Sequence, residues 1–177
     1  MDQINLYAPI TPELLNELIT TTATLPDSHP IQINMASHGG DVPAGVQMYN
    51  YLKRFEKLTI KAMGNIDSIA VIVYLSAKRR LATNNTLFFL HGIALDSHGP
   101  ISLRTKDLDD YKEKLSHEVA RYSDIFVKET YLDSNAIPLE EVKSILEGHG
   151  DRTLTANEAL HVGVVNCVVA PTYVQCI

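Results

Sequence analysis

Residues 58–79 read LTIKAMGNIDSIAVIVYLSAKR. Leu58 to Met63 has the character of a strand, and Gly64-Asn65 is a signal that ends it. Asp67 to Arg79 is mostly apolar, which predicts a buried helix. A strand, a tight turn and a buried helix within so short a stretch predict an α/β layer architecture, because such a helix needs cover from other elements.

The same alternation of element types extends in both directions. Toward the N-terminus, Ile4 to Ala8 reads as a short strand. Thr11-Pro12-Glu13 then supplies an N-cap, a proline in the first turn and an early acid. Leu14, Leu15, Leu18 and Ile19 form the apolar face of that helix. Pro26 to Pro30 is loop. Ile31-Gln32-Ile33-Asn34-Met35 alternates as a strand does, and Ser37-His38-Gly39-Gly40-Asp41 is a glycine-rich turn. Pro43 to Phe55 is a helix with Val46, Tyr49, Leu52 and Phe55 facing inward.

Toward the C-terminus, Thr86 to Leu90 is a strand that delivers His91, and a loop runs from His91 to Pro100. Leu103 to Leu132 is the longest helix. Leu108, Tyr111, Leu115, Val119, Tyr122 and Phe126 recur along it at three- and four-residue steps, leaving a narrow apolar seam in a charged surface. We expect that seam, including Tyr111, Leu115, Tyr122 and Phe126, to pack on the matching helix of a second copy across a two-fold axis. Pro138 to Glu147 is a short helix. Thr155 and Glu158 form a capping box that opens the next one. Val164 to Ala170 is the last strand. No repeat or linker divides the 177 residues, so one domain, 1–177, is expected.

Composition narrows the function. The formal charge is −6 and no run of Lys or Arg stands out, so a nucleic-acid partner is not expected. The longest apolar stretch, Ile69 to Leu75, is far short of the roughly 20 residues that span a bilayer, so no membrane partner is expected either. No secretory signal is visible, and Cys167 and Cys176 fit neither a zinc spacing nor a disulfide framework. A soluble, cytoplasmic protein is the expectation. His29, His98, His117, His149 and His161 show no metal spacing, and no cofactor is expected.

Four segments carry possible chemistry. In Gly64-Asn65-Ile66-Asp67-Ser68-Ile69, Ser68 opens an apolar helix where backbone N–H groups are free. A serine there can act as a nucleophile, with the Ile69 N–H aimed at the developing oxyanion. Read alone, the segment is more simply a capped helix start. The Gly39-Gly40 pair lets backbone N–H groups approach a ligand, or it is a plain strand-to-helix turn. His91, at a strand end beside a glycine, can be a general base or a core histidine. Asp151 can orient that imidazole, or pair with Arg152.

In this order the four segments resemble the Clp peptidase family. Residues 33–40 look like its Ile-Asn-Ser-Pro-Gly-Gly turn, and Gly64 to Ser68 like its Gly-x-Ala-Ala-Ser nucleophile turn. Phe89-Leu90-His91 looks like Met-Ile-His. Residues 151–156 look like Asp-Arg-Phe-Leu-Ser-Ala, and 158–165 like Glu-Ala-x-x-Tyr-Gly-Leu-Val. The resemblance covers about Ile4 to Val169. It implies the ClpP/crotonase fold, with stacked ββα units and a protruding handle helix at about 103–132. It implies Ser68 as nucleophile, His91 as base, Asp151 as orienting acid, and Gly40 and Ile69 as oxyanion-hole donors. Peptide or unfolded-protein substrates, no metal or cofactor, and a homo-oligomer of stacked rings follow from the same resemblance.

The chain departs from the pattern at named places. His38 stands where the family has proline, and Asp67 where it has alanine; Asp67 is expected to cap the helix and face away from Ser68. Gly-Ile-Ala follows His91 in place of Gln-Pro. The first predicted strand starts near Ile4, which leaves Met1 to Gln3 for the family's axial pore loops. An ungated particle, a Clp-type ATPase docked on another surface, or a gate supplied by a homologous subunit is therefore expected. Two other functions fit the pattern less well: a silent structural subunit of a mixed ring, which an intact triad argues against, and a crotonase-like acyl-CoA enzyme, which needs no such triad.

Overall fold

The computed structural model describes residues 2–94, 105–130 and 135–170. In chain order the elements are β1 (Asp2–Leu6), α1 (Pro12–Thr22), β2 (Ile31–Ser37), α2 (Val42–Leu52), β3 (Leu58–Asp67), α3 (Ile69–Leu75), β4 (Arg79–Thr83), β5 (Leu87–Leu90), α4 (Thr105–Thr130), α5 (Leu139–Leu146), β6 (Arg152–Thr155), α6 (Ala156–His161) and β7 (Cys167–Val169). Strands β1-β2-β3-β4-β7 lie side by side, all parallel. This is the α/β architecture expected from the alternation of elements.

Local signals explain several boundaries. The Thr11 side chain accepts a 3.2 Å hydrogen bond from Leu14 N–H, and Asp41 accepts one of 2.6 Å from Ala44 N–H. Thr155 and Glu158 complete their capping box in both directions. Along β2, Ile31, Ile33, Met35 and Ser37 are buried and the residues between them are half-buried, as the alternation predicts. The half-buried face carries amides: Asn34 donates to Asn5 at 3.0 Å and accepts from Gln32 at 3.0 Å.

β3 runs past its predicted end. It passes Gly64-Asn65 and continues to Asp67, because it is paired on both sides there: Ile66 lies opposite Ser37 of β2 and opposite Phe88 of β5. Tertiary pairing overrides the turn propensity of the two residues. The strand thereby changes neighbour, pairing first with β4 over Thr59–Ala62 and then with β5 over Ile66–Asp67.

The predicted helix over 67–79 is shorter, spanning Ile69–Leu75, and all seven of its residues are buried. Arg79–Thr83 is a strand instead. The reason is Arg80, whose buried guanidinium donates to the carbonyls of Ala77, Val164, Gly163 and Glu129. Those bonds draw the chain into the sheet, and no local pattern announces them. β6 was not among the expected elements; it pairs antiparallel with β5. The last strand is only Cys167–Val169, with Val164 and Val165 buried just before it.

Helix α4 corrects the reading of the long seam. Val119, Tyr122 and Phe126 are buried in this chain's own core, and α4 packs on α3 and α5. Its C-terminal half is fastened by Glu129, which accepts from Tyr49 Oη at 2.5 Å and from Lys53 Nζ at 3.0 Å. Tyr122 and Phe126 therefore cannot face a second copy. Leu108 and Tyr111 of the N-terminal half are exposed, at 41% and 39%. Residues 103, 104, 131 and 132 of the predicted helix lie outside the described residues, as do His98 and Cys176. Among the described residues no helix is long and apolar enough to cross a membrane.

Candidate active site

Ser68 stands between the end of β3 and the start of α3, with φ 57° and ψ −134°. Among the described residues it is the only non-glycine with positive φ. Such a conformation costs about 1–3 kcal/mol and persists where the surroundings enforce it. Three hydrogen bonds do so. Ser68 N–H donates to Phe89 O at 2.8 Å, and Ser68 O accepts from Val71 N–H at 3.0 Å and from Tyr122 Oη at 2.7 Å. A strained turn from strand to helix is one way a fold exposes a nucleophilic serine.

Ser68 occupies the N-cap position of α3, yet no side-chain cap bond is made there. Neither of the capping roles considered from the sequence is realised. The Ser68 hydroxyl is left for other work. Asp67 is turned to His38, whose Nδ1 lies 2.8 Å from Asp67 Oδ2. The expectation that Asp67 caps the helix is thus corrected. Extension of β3 through Asp67 sends its side chain toward the end of β2 instead.

β5 carries His91 to the same place. Ser68, His91, Gly40, His38 and Tyr122 line one cavity of about 230 Å³, with Ile93 also in its lining. The His91 ring stacks on Phe89 with centroids 5.3 Å apart, and its Nδ1 lies 2.8 Å from Gly92 O. A carbonyl only accepts, so Nδ1 carries the proton and Nε2 is the basic nitrogen. The loop beyond is tied to α5, where Ile93 N–H donates to Leu146 O at 2.9 Å. A Cβ on Gly92 would lie 2.9 Å from Gly148 Cα, so no side chain fits at that crossing.

The glycine turn meets Ser68 from the other side. A Cβ on Gly39 would fall 2.6 Å from Ser68 Cβ and 3.2 Å from its Oγ. Gly40 is held against Ile10, with Asp41 N–H donating to Ile10 O at 2.9 Å. Ile69 is the first residue of α3, where helix geometry gives its N–H no partner within the helix. Ser68, His91, Gly40 and Ile69 are therefore neighbours.

Asp151 is exposed and does not line the cavity. Arg152 pairs with Leu90 across β5 and β6, so Asp151 is the next residue along the ladder toward His91. Arg152 is paired with Glu141 rather than with Asp151.

Tyr122 has a place that its periodicity did not reveal. The 3.6-residue pattern assigns it to an apolar face, but a phenol also carries a donor at its tip. Burial pushes its hydroxyl far above the ordinary phenol range, so it remains a donor at any working pH.

The sequence model of the Clp protease family matches residues 1–172. A curated relative, the ATP-dependent Clp protease proteolytic subunit 2 of Treponema pallidum (strain Nichols), is 26% identical over 153 residues; the match covers 80% of this chain and 67% of the relative. A point mutant of ClpP1 from Listeria monocytogenes superposes with a TM-score of 0.79 at 21% identity, over 96% of this chain and 92% of that one. The fold is that of ClpP.

Proposed function

This chain belongs to the Clp protease family, and from that premise we propose that it is a serine endopeptidase using Ser68, His91 and Asp151. The observation that carries the reading is the strained Ser68, with no capping bond, in one cavity with the His91 imidazole. His91 Nε2 takes the Ser68 proton as Oγ attacks the peptide carbonyl. The tetrahedral oxyanion accepts hydrogen bonds from the Gly40 and Ile69 N–H groups. His91 then protonates the leaving amine. Water, activated by the same imidazole, hydrolyses the acyl-enzyme. Gly92 O holds the His91 tautomer, and Asp151, the next residue along the β5–β6 ladder toward His91, is the proposed orienting acid.

The proposed assembly is a homo-oligomer in which the exposed start of α4, around Leu108 and Tyr111, meets a second copy. Peptides and unfolded chains are the proposed substrates.

One observation favours a second reading, a silent subunit of a mixed ring: the Nδ1 of His91 faces Gly92 O while Asp151 is exposed. Cleavage of short fluorogenic peptides separates the two. The peptidase reading predicts turnover by the purified chain that survives EDTA and is abolished in Ser68→Ala. Equal turnover by Ser68→Ala, or loss on EDTA treatment, contradicts it.

A further inference from the structure

The β2–β3 ladder ends with Ser37 opposite Ile66. The next residue on each strand is His38 and Asp67, and these continue the pairing through their side chains. His38 Nδ1 donates to Asp67 Oδ2 at 2.8 Å. The carboxylate is only 13% exposed, whereas the imidazole is 85% exposed. Asp67 Oδ1 is buried and has no hydrogen-bond partner among the described residues. A carboxylate oxygen held that way costs folding free energy that a small apolar residue at this position would not.

The bond spans the two halves of the site. Asp67 directly precedes Ser68, and His38 directly precedes Gly39-Gly40. Gly39 and Gly40 have φ of 88° and 146°, a backbone with no side chain of its own to hold it. Its backbone is tied to Ile10 and to Ser37: Gly39 O accepts from Ile10 N–H at 2.8 Å, Asp41 N–H donates to Ile10 O, and Gly39 N–H donates to Ser37 Oγ at 3.3 Å. Those bonds fix the back of the turn. The front abuts Ser68, and there the Asp67–His38 bond joins it to the strand end that carries the nucleophile.

We propose that Asp67 and His38 form a clamp that positions the Gly39-Gly40 turn against Ser68. They are positioning residues for hydrolysis, and the proposal rests on the serine-peptidase reading above. A looser turn leaves the Gly40 N–H badly aimed at an oxyanion that exists only after attack. The loss therefore falls on kcat and spares KM.

The test uses the full chain with Asp67→Ala, Asp67→Asn, His38→Ala and the Asp67→Ala/His38→Ala double variant. Competent Ser68 is counted in each with a fluorophosphonate, and kcat and KM on a short peptide are expressed per titrated site. We expect a fall in kcat of about 10- to 100-fold in each alanine variant, with KM little changed. The double variant is no worse than either single one, because both break the same bond. Asp67→Asn recovers most of the rate, since its amide oxygen still accepts from His38. His38 is exposed, so its alanine variant folds even if the Asp67 variants do not. Normal kcat per titrated site, additive losses in the double variant, or Asn no better than Ala each overturn the clamp. A wild-type chain that takes no label overturns the peptidase reading itself, and the clamp with it.

Discussion

Tyr122 donates a 2.7 Å hydrogen bond to the backbone carbonyl of Ser68. Through it the longest helix of the protein is fastened to the most strained residue of the site. Tyr122→Phe keeps the buried ring and removes the bond. The Ser68 carbonyl keeps its bond from Val71 N–H, so the loss is that of one net hydrogen bond, about 0.5–1.5 kcal/mol, and a lower melting temperature and a severalfold lower kcat per labelled Ser68 are expected. Unchanged values for both quantities contradict this role.

The glycine turn tolerates no side chain where it meets the nucleophile. Gly39→Ala puts a Cβ 2.6 Å from Ser68 Cβ, at a φ of 88° that L residues rarely adopt. The two effects together should cost on the order of 2 kcal/mol or more. Peptide cleavage should fall below detection in whatever fraction folds. Circular dichroism with peptide turnover checks both parts.

Acid should release α4 before it unfolds the sheet. Burial raises the pKa of Glu129, but the hydrogen bonds from Tyr49 and Lys53 and the charge of Lys53 outweigh it and hold the carboxylate below its ordinary 4.5. A carboxylate depressed in the folded state contributes stability that is present above the ordinary value. That stability is lost as pH falls from there through the folded value. Glu129→Gln should be less stable than wild type near neutral pH and lose less stability on acidification below about pH 4.5. Denaturant melts across this range measure it; parallel curves for the two proteins contradict it.

Much of this was legible in the sequence, and the rest was not, for physical reasons. The caps at Thr11 and Thr155 and the alternation of Ile31–Met35 are local signals, and the structure realises each of them. Ser68, His91, Gly40 and Ile69 could be named because each sits at the junction of a strand with a turn or helix. β4 escaped because Arg80 is held by carbonyls 49 to 84 residues away as well as by Ala77. The end of β3 escaped because two neighbouring strands, not the residues 64–67 themselves, keep it extended. The sequence flagged His38 and Asp67 as separate departures; only the fold makes them partners 2.8 Å apart.

The exposed start of α4 makes a prediction about assembly. Leu108→Asp places a charge on a surface that the proposed two-fold contact would bury. Sedimentation should show the variant dissociating at concentrations where wild type remains assembled, with the monomer still folded. An identical sedimentation profile would place the contact elsewhere.

The assignment of Ser68 as the nucleophile is decided by intact-mass spectrometry after exposure to a fluorophosphonate probe. One adduct per chain is expected, mapped to Ser68 by peptide digestion, absent in Ser68→Ala and strongly slowed in His91→Ala. A wild-type chain that remains unlabelled, or one labelled equally well after Ser68→Ala, would contradict it.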